Sequence, residues 1–243
     1  MIVSSGGIVM RLLLFLLLFG SIISPISISS DSSKKTLSAD DDFMIQNISS
    51  FIDESAIMHI YGEIRNTSDM SIANVTVNGS FYDDNGKLLN VYRRSCELPT
   101  VNAGSVCPFE ILYIDTKTTN NINDFKLSAL GIVTNNSKPT TLKFYSVNSR
   151  LDILGFYYIN GRISNEGSVT ATDSSVVATL YDKDGKVIAI GRALAEPINI
   201  VPGSQANFGI AVTEKSQAYK TERYSLMAYS TQYASSPSPI AYK

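Results

Sequence analysis

Residues 75–87 read Val-Thr-Val-Asn-Gly-Ser-Phe-Tyr-Asp-Asp-Asn-Gly-Lys, and the fold turns on how they are read. Val75, Val77, Gly79 and Phe81 alternate with Thr76, Asn78, Ser80 and Tyr82, the period-two pattern of a strand with one buried and one wet face. Asp84-Asn85-Gly86 then supplies a turn, because Asn and Gly tolerate positive φ. A shift of 99 residues meets the same plan: Val176, Ala178 and Leu180 form the inward face, and Lys183-Asp184-Gly185 the turn.

The correspondence extends in both directions without a gap. Gly62, Ile64 and Asn66 meet Gly161, Ile163 and Asn165; Arg93 and Glu97 meet Arg192 and Glu196; Gly104-Ser105 meets Gly203-Ser204. Phe109 and Ile111 meet Phe208 and Ile210, while Leu127 and Ala129 meet Leu226 and Ala228. The chain therefore reads as a tandem duplication, with further strands expected near 57–64, 87–98, 125–133, 156–163, 186–196 and 224–230. Short strands punctuated by turns, with no amphipathic helix, predict an all-β protein of two tandem immunoglobulin-like β-sandwich domains, over 46–137 and 138–232.

Tyr61-Gly-Glu-Ile-Arg-Asn66, Asn74-Val-Thr-Val77, Phe81-Tyr-Asp83 and Gly86-Lys87 resemble the FxLYD domain family, and Gly161-Arg-Ile-Ser-Asn165 with Leu180-Tyr-Asp182 resembles it again. Gly79 and Ala178 stand where the motif has its leading Phe, and Phe81 where it has Leu. The resemblance implies an immunoglobulin-like sandwich in a secreted or membrane-tethered prokaryotic protein without established catalytic activity.

Arg11 followed by Leu12-Leu-Leu-Phe-Leu-Leu-Leu-Phe19 and a Ser-rich exit predicts a signal peptide or N-terminal membrane anchor over residues 1–29. A polar linker follows over 30–45, and residues 233–243 read as a disordered tail. Either fate of the leader places the rest of the chain outside the cytoplasm, secreted or held at the outer face of the membrane. Five sequons, at Asn47, Asn66, Asn74, Asn78 and Asn135, fit that compartment as possible N-glycosylation sites. Cys96 and Cys107 align with Ala195 and Ala206; as a pair flanking a turn in an oxidising compartment they are expected to form a disulfide.

The 243 residues are 44% apolar and 17% charged, with a net charge of -2, which excludes wholesale disorder and a basic nucleic-acid footprint. One His, no Trp and two Cys are a sparse toolkit, so no catalytic residue, metal site or cofactor is expected. The turns at 83–86 and 182–185 match half of an EF-hand loop, but Phe81 or Leu180 and Tyr92 or Gly191 would occupy its terminal ligand positions. His59 has no G-x-S-x-G elbow to serve and reads as a strand residue. Arg93 with Glu97, and Arg192 with Glu196, read as solvent-face residues on one strand, open to pairing across the sheet.

Asn74, Thr76 and Asn78 share one outward face, so sugars would cloak that sheet. The second half lacks sequons but carries Tyr157, Tyr158, Tyr181, Tyr219, Tyr224 and Tyr229, expected as an interaction surface. The function expected is a non-enzymatic envelope protein for adhesion, assembly or contact with a protein partner, anchored in the membrane if the leader is uncleaved. The alternative is an accessory subunit that binds a solute or carbohydrate for a membrane complex.

Overall fold

The computed structural model describes residues 36–37, 42–238 and 241–242. In chain order the strands are β1 (Thr36–Leu37), β2 (Phe43–Ile52), β3 (Met58–Asn66), β4 (Ser71–Tyr82), β5 (Leu88–Ser95), β6 (Thr100–Val101), β7 (Val106–Tyr113) and β8 (Asp124–Thr134). They continue as β9 (Leu142–Leu151), β10 (Tyr157–Asn165), β11 (Ser175–Tyr181), β12 (Val187–Leu194), β13 (Gln205–Val212), β14 (Arg223–Tyr229) and β15 (Ala241–Tyr242). A 3-10 turn at Thr119–Asn121 and a four-residue helix, α1 (Lys215–Ala218), are the helical elements among the described residues.

The strands form four antiparallel sheets. Sheet I has the order β1-β8-β4-β5, with β6 also on β4; sheet II is β2-β3-β7; sheet III is β12-β11-β14-β15; sheet IV is β13-β10-β9. Sheets I and II enclose one core, built from Ile60, Ile64, Val75, Val77, Phe81, Phe109, Ile111 and Tyr113. Sheets III and IV enclose another, built from Tyr157, Ile159, Ile163, Val176, Leu180, Phe208, Ile210 and Leu226. Each core is thus the meeting of two alternating faces, which is how antiparallel sheets bury their apolar sides. The all-β reading and its sandwich layering hold.

The backbone repeats at the same 99-residue spacing as the sequence. Positive φ recurs at Asn47 and Ser146, Ala56 and Gly155, Asn74 and Asp173, Gly86 and Gly185, and Gly104 and Gly203. A Cβ on Gly62 would meet Phe109 at 2.7 Å, and one on Gly161 would meet Phe208 at 2.8 Å, so both glycines admit the ring of the neighbouring strand. Asn66 and Asn165 are also equivalent: each donates twice, to Met70 and Val101 carbonyls or to Val169 and Ile200 carbonyls. Those bonds tie one strand end to the following loop in both halves.

Strands β2 and β9 extend the repeat beyond the sequence reading, which assigned neither. Each carries a bulge, between Gln46 and Ser49 in β2 and at Asn160/Arg162 where β9 pairs with β10. The expected linker over 30–45 is corrected here, since Phe43 opens β2 and is buried in the first core. The tail is corrected as well. Tyr233 is buried with its ring against Gly167, Ser235 and Ser238 bond to Ala228 and Leu226, and β15 pairs with β14. Short polar residues there mimic an extra strand, a role that composition alone reads as disorder. The expected leader or anchor at 1–29 lies outside the described residues, and no helix among those described is long and apolar enough to cross a membrane.

Candidate functional site

Sheet III is apolar on both faces, and that is what builds the site. In β4 the residues outward of the core are Thr76, Asn78 and Ser80, but in β11 they are Val177, Thr179 and Tyr181, all buried. Val187 and Ile190 of β12 join Val177 and Tyr181 against Tyr61 and Phe51, whose strands belong to sheet II. The outer face of sheet II therefore packs on the outer face of sheet III, and the four sheets stack in the order I–II–III–IV. Residues 34–243 form one compact unit.

Charges rim this apolar centre. The Arg192 guanidinium makes a bidentate pair with Glu97, Nε to Oε2 at 2.5 Å and Nη2 to Oε1 at 2.6 Å, and reaches Glu110 at 3.3 Å. Glu110 and Asp53 each approach a ring nitrogen of His59 at 3.2 Å, while Phe51 stacks on that ring at 4.7 Å between centroids. A continuous run Asp53–His59–Glu110–Arg192–Glu97 thus crosses from one half to the other. Burial disfavours the imidazolium, but the two carboxylates outweigh it and raise the His59 pKa. Burial likewise opposes ionisation of Glu110; hydrogen bonds from His59 and Tyr61 and the charge of Arg192 overcome it, and its pKa is lowered. Asp53 is lowered too, against its desolvation, by the Ile57 amide and His59. Burial, and then Glu110, push the Tyr61 phenol well above its ordinary range, so it stays protonated.

At the other end of the junction Glu63 is a buried carboxylate with neutral donors around it. Tyr181 donates at 2.5 Å, Asn47 at 2.8 Å and Gln46 at 3.4 Å. Ser49 on β2 also donates to the Val187 carbonyl across the same interface. A cleft of about 440 Å³ opens beside Glu63, with Arg65, Tyr181, Arg223 and Ser225 in its walls. The Arg223 guanidinium lies 5.4 Å from the Tyr181 ring centre, and its buried Nε has no hydrogen-bond partner among the described residues.

The residues singled out from sequence separate into distinct roles. Cys96 and Cys107 form a disulfide with Cα atoms 5.9 Å apart, both buried in the first core. The placement of the Arg/Glu residues on one strand is corrected: Glu97 and Glu196 lie beyond the ends of β5 and β12, and Arg192 pairs with Glu97 of the other half. The tyrosine surface is also corrected. Tyr157 and Tyr224 lie edge-to-face in the second core, while Tyr181 and Tyr229 lie at the junction. Tyr158 is half-buried under Arg150, and only Tyr219 is broadly exposed, against Gly155. Tyr157 and Tyr224 face the core between sheets III and IV, whereas Tyr181 and Tyr229 lie on the covered outer side of sheet III.

Of the sequons, Asn66 is fully buried with its amide spent on two carbonyls, which removes it as a site in the folded chain. Asn47 is exposed yet donates to Glu63; Asn74 and Asn135 are exposed, and Asn78 is half-buried beside Ser128. Asp83 and Asp182 accept two backbone amides apiece, so these carboxylates hold the turns. Sequence reasoning missed Glu63, Glu110 and Asp53. The near-continuous apolar run Val176-Val-Ala-Thr-Leu-Tyr181 was the available signal, since a strand covered on both faces loses alternation. Among the described residues no cluster of His, Cys, Asp and Glu is placed to hold a metal ion.

No protein-family model and no curated protein sequence matches the chain. Among solved structures it is similar to the Amycolatopsis orientalis exo-chitosanase CsxA, at 11% identity and TM-score 0.31, covering 82% of this chain and 26% of that one. It is also similar to a calcium-binding mutant of Bacteroides uniformis β-glucuronidase 2, at 10% identity and TM-score 0.32, covering 86% of this chain and 32% of that one. Red sea bream transglutaminase gives 10% identity and TM-score 0.27, covering 78% and 30%. The chain spans about a third or less of these enzymes, and likeness at this level carries no functional inference.

Proposed function

We propose that the chain is a non-enzymatic extracytoplasmic envelope protein, built from two FxLYD-like sandwiches and serving assembly or protein contact at the outer face of the membrane. The observation that carries this reading is the use of the single histidine. His59 is enclosed by Asp53, Glu110 and Phe51 and helps fasten the halves together, so the strongest polar cluster is structural. A protein whose chemistry is spent on rigidity presents a fixed surface rather than a reactive centre. The Cys96–Cys107 disulfide supports an oxidising compartment.

The test is covalent crosslinking of the full chain in intact envelopes, followed by isolation under denaturing conditions. Discrete protein adducts, lost when the surface residues are changed, are the expected result; a chain recovered without any protein adduct overturns the reading. The second reading, an accessory ligand-binding subunit, draws on the cleft beside Glu63 and the unpartnered Arg223 Nε. Saturable binding of a carboxylated sugar or solute, abolished by Arg223→Ala, would favour it over protein contact.

A further inference from the structure

The junction between the halves is heterologous: the outer face of sheet III meets the outer face of sheet II, two different surfaces. The 99-residue repeat makes sheet I the counterpart of sheet III, and sheet IV the counterpart of sheet II. The chain therefore carries the strand counterparts of the two joining faces a second time, at opposite ends of the four-layer stack, with more polar residues at their centres. Both are open among the described residues. Along β13, residues alternate exposed and buried, and β5 exposes Leu88, Val91 and Arg93.

We propose that copies of this chain associate head to tail, with the outer face of sheet I in one copy resting on the outer face of sheet IV in the next. This rests on the assembly reading and names its partner as a second copy of the chain. Arg93 and Glu196 carry the argument. They are the counterparts of Arg192 and Glu97, which form the bidentate pair inside the chain, and both are exposed with no ion pair among the described residues. Leu88 and Val91, 49% and 44% exposed, stand where Val187 and Ile190 fill the internal junction. On the opposing face Tyr158 replaces His59, and Tyr145 adds a further exposed ring.

The intermolecular contact is the weaker of the two. Glu63, Phe51 and Tyr61 have Arg162, Arg150 and Asn160 as counterparts, Val177 has Asn78 and Ser225 has Lys126, so the buried carboxylate and the aromatic side of the apolar centre are not reproduced. Reversible, salt-sensitive association follows, suited to molecules concentrated on one surface. Asn78 lies opposite Arg93 in the β4–β5 ladder, so a glycan there would cover the same face, making glycosylation and stacking mutually exclusive.

The experiment uses the full-length protein in mild detergent, made in a host that does not glycosylate sequons, with mass read by sedimentation across a dilution series. Wild-type mass should rise with concentration, and R93E and E196R should each weaken association at least about tenfold. Mixing the two variants should restore it, because each supplies the charge the other lacks. A wild type of constant mass, variants that associate like wild type, or a mixture that stays dissociated overturns the proposal. Failure here leaves the crosslinking outcome untouched: adducts with other proteins would still support the assembly reading, whereas an absence of all adducts would end both.

Discussion

The Tyr181 hydroxyl donates to the Glu63 carboxylate at 2.5 Å, joining residues 118 positions apart in sequence and lying on opposite sides of the junction. Glu63 is 3% exposed, and every donor that reaches it among the described residues is neutral. Tyr181→Phe keeps the ring and removes one donor, leaving the carboxylate short of a hydrogen bond where water is scarce. We expect a loss of about 1–3 kcal/mol in folding stability, measured by urea denaturation. A double-mutant cycle with Glu63→Gln should show coupling between the two positions. Additive effects would remove this bond from the forces that hold the halves.

The half-buried alternation at 75–82 was enough to predict the strands, the turns and the repeat, because those depend on local period and turn chemistry. The stacking of sheet II on sheet III was not legible in the same way. It depends on Val177, Thr179 and Tyr181 facing a second sheet rather than water, and a period of two cannot say what covers the outer face. The repeat itself hid the cue: aligned with Asn78, Ser80 and Tyr82, these positions inherit a solvent reading from the other half. Glu110 was missed because its partners, Arg192 and His59, become its neighbours only in three dimensions; Asp53 was missed because it directly follows β2, a strand not predicted, whose hairpin with β3 brings it to His59 six residues on. Strand β2 was missed because its polar half-turns and its bulge at Gln46–Ser49 break the alternation.

The pH dependence has a definite sign on each side. His59 has a raised pKa in the folded chain, so its contribution is complete below about pH 6.5 and fades as pH rises through the higher folded value. Glu110 and Asp53 have lowered values, so theirs is complete above about pH 4.5 and fades as pH falls through the lower folded values. Stability from this network should therefore peak in the mildly acidic window between them. His59→Gln should flatten the decline above neutrality and also shrink the acid limb, because His59 helps to lower the Glu110 and Asp53 pKa values, as followed by urea denaturation across pH. An alkaline limb that survives the substitution would assign the decline to other groups.

Reduction of Cys96–Cys107 gives a comparison internal to the chain. The bridge spans 11 residues, and the second half keeps the same strands with Ala195 and Ala206 buried in its place. The paired substitution Cys96→Ala, Cys107→Ala should cost about 2–3 kcal/mol on the chain-entropy account while leaving the fold intact. Circular dichroism should stay strand-like as the denaturation midpoint falls. Collapse of the spectrum would mean that the first half, unlike the second, depends on its crosslink to fold.

The paired asparagines separate a structural role from a modification signal that shares the same residue. Asn66 sits in a sequon and Asn165 does not, yet each spends its amide on two loop carbonyls at 2.8–3.0 Å and is wholly buried. A glycan attached to Asn66 would consume a hydrogen of that amide and demand space the core does not have. In a host that modifies sequons, mass spectrometry of the folded protein should find Asn66 bare, with the exposed Asn74 and Asn135 among the acceptors. Asn66→Ala and Asn165→Ala should then destabilise alike, by about 1–3 kcal/mol each, because the lost bonds are equivalent. Unequal costs would show that the loops they hold differ in stability. A glycan on Asn66 in folded material would mean that the strand end opens far more readily than its hydrogen bonds imply.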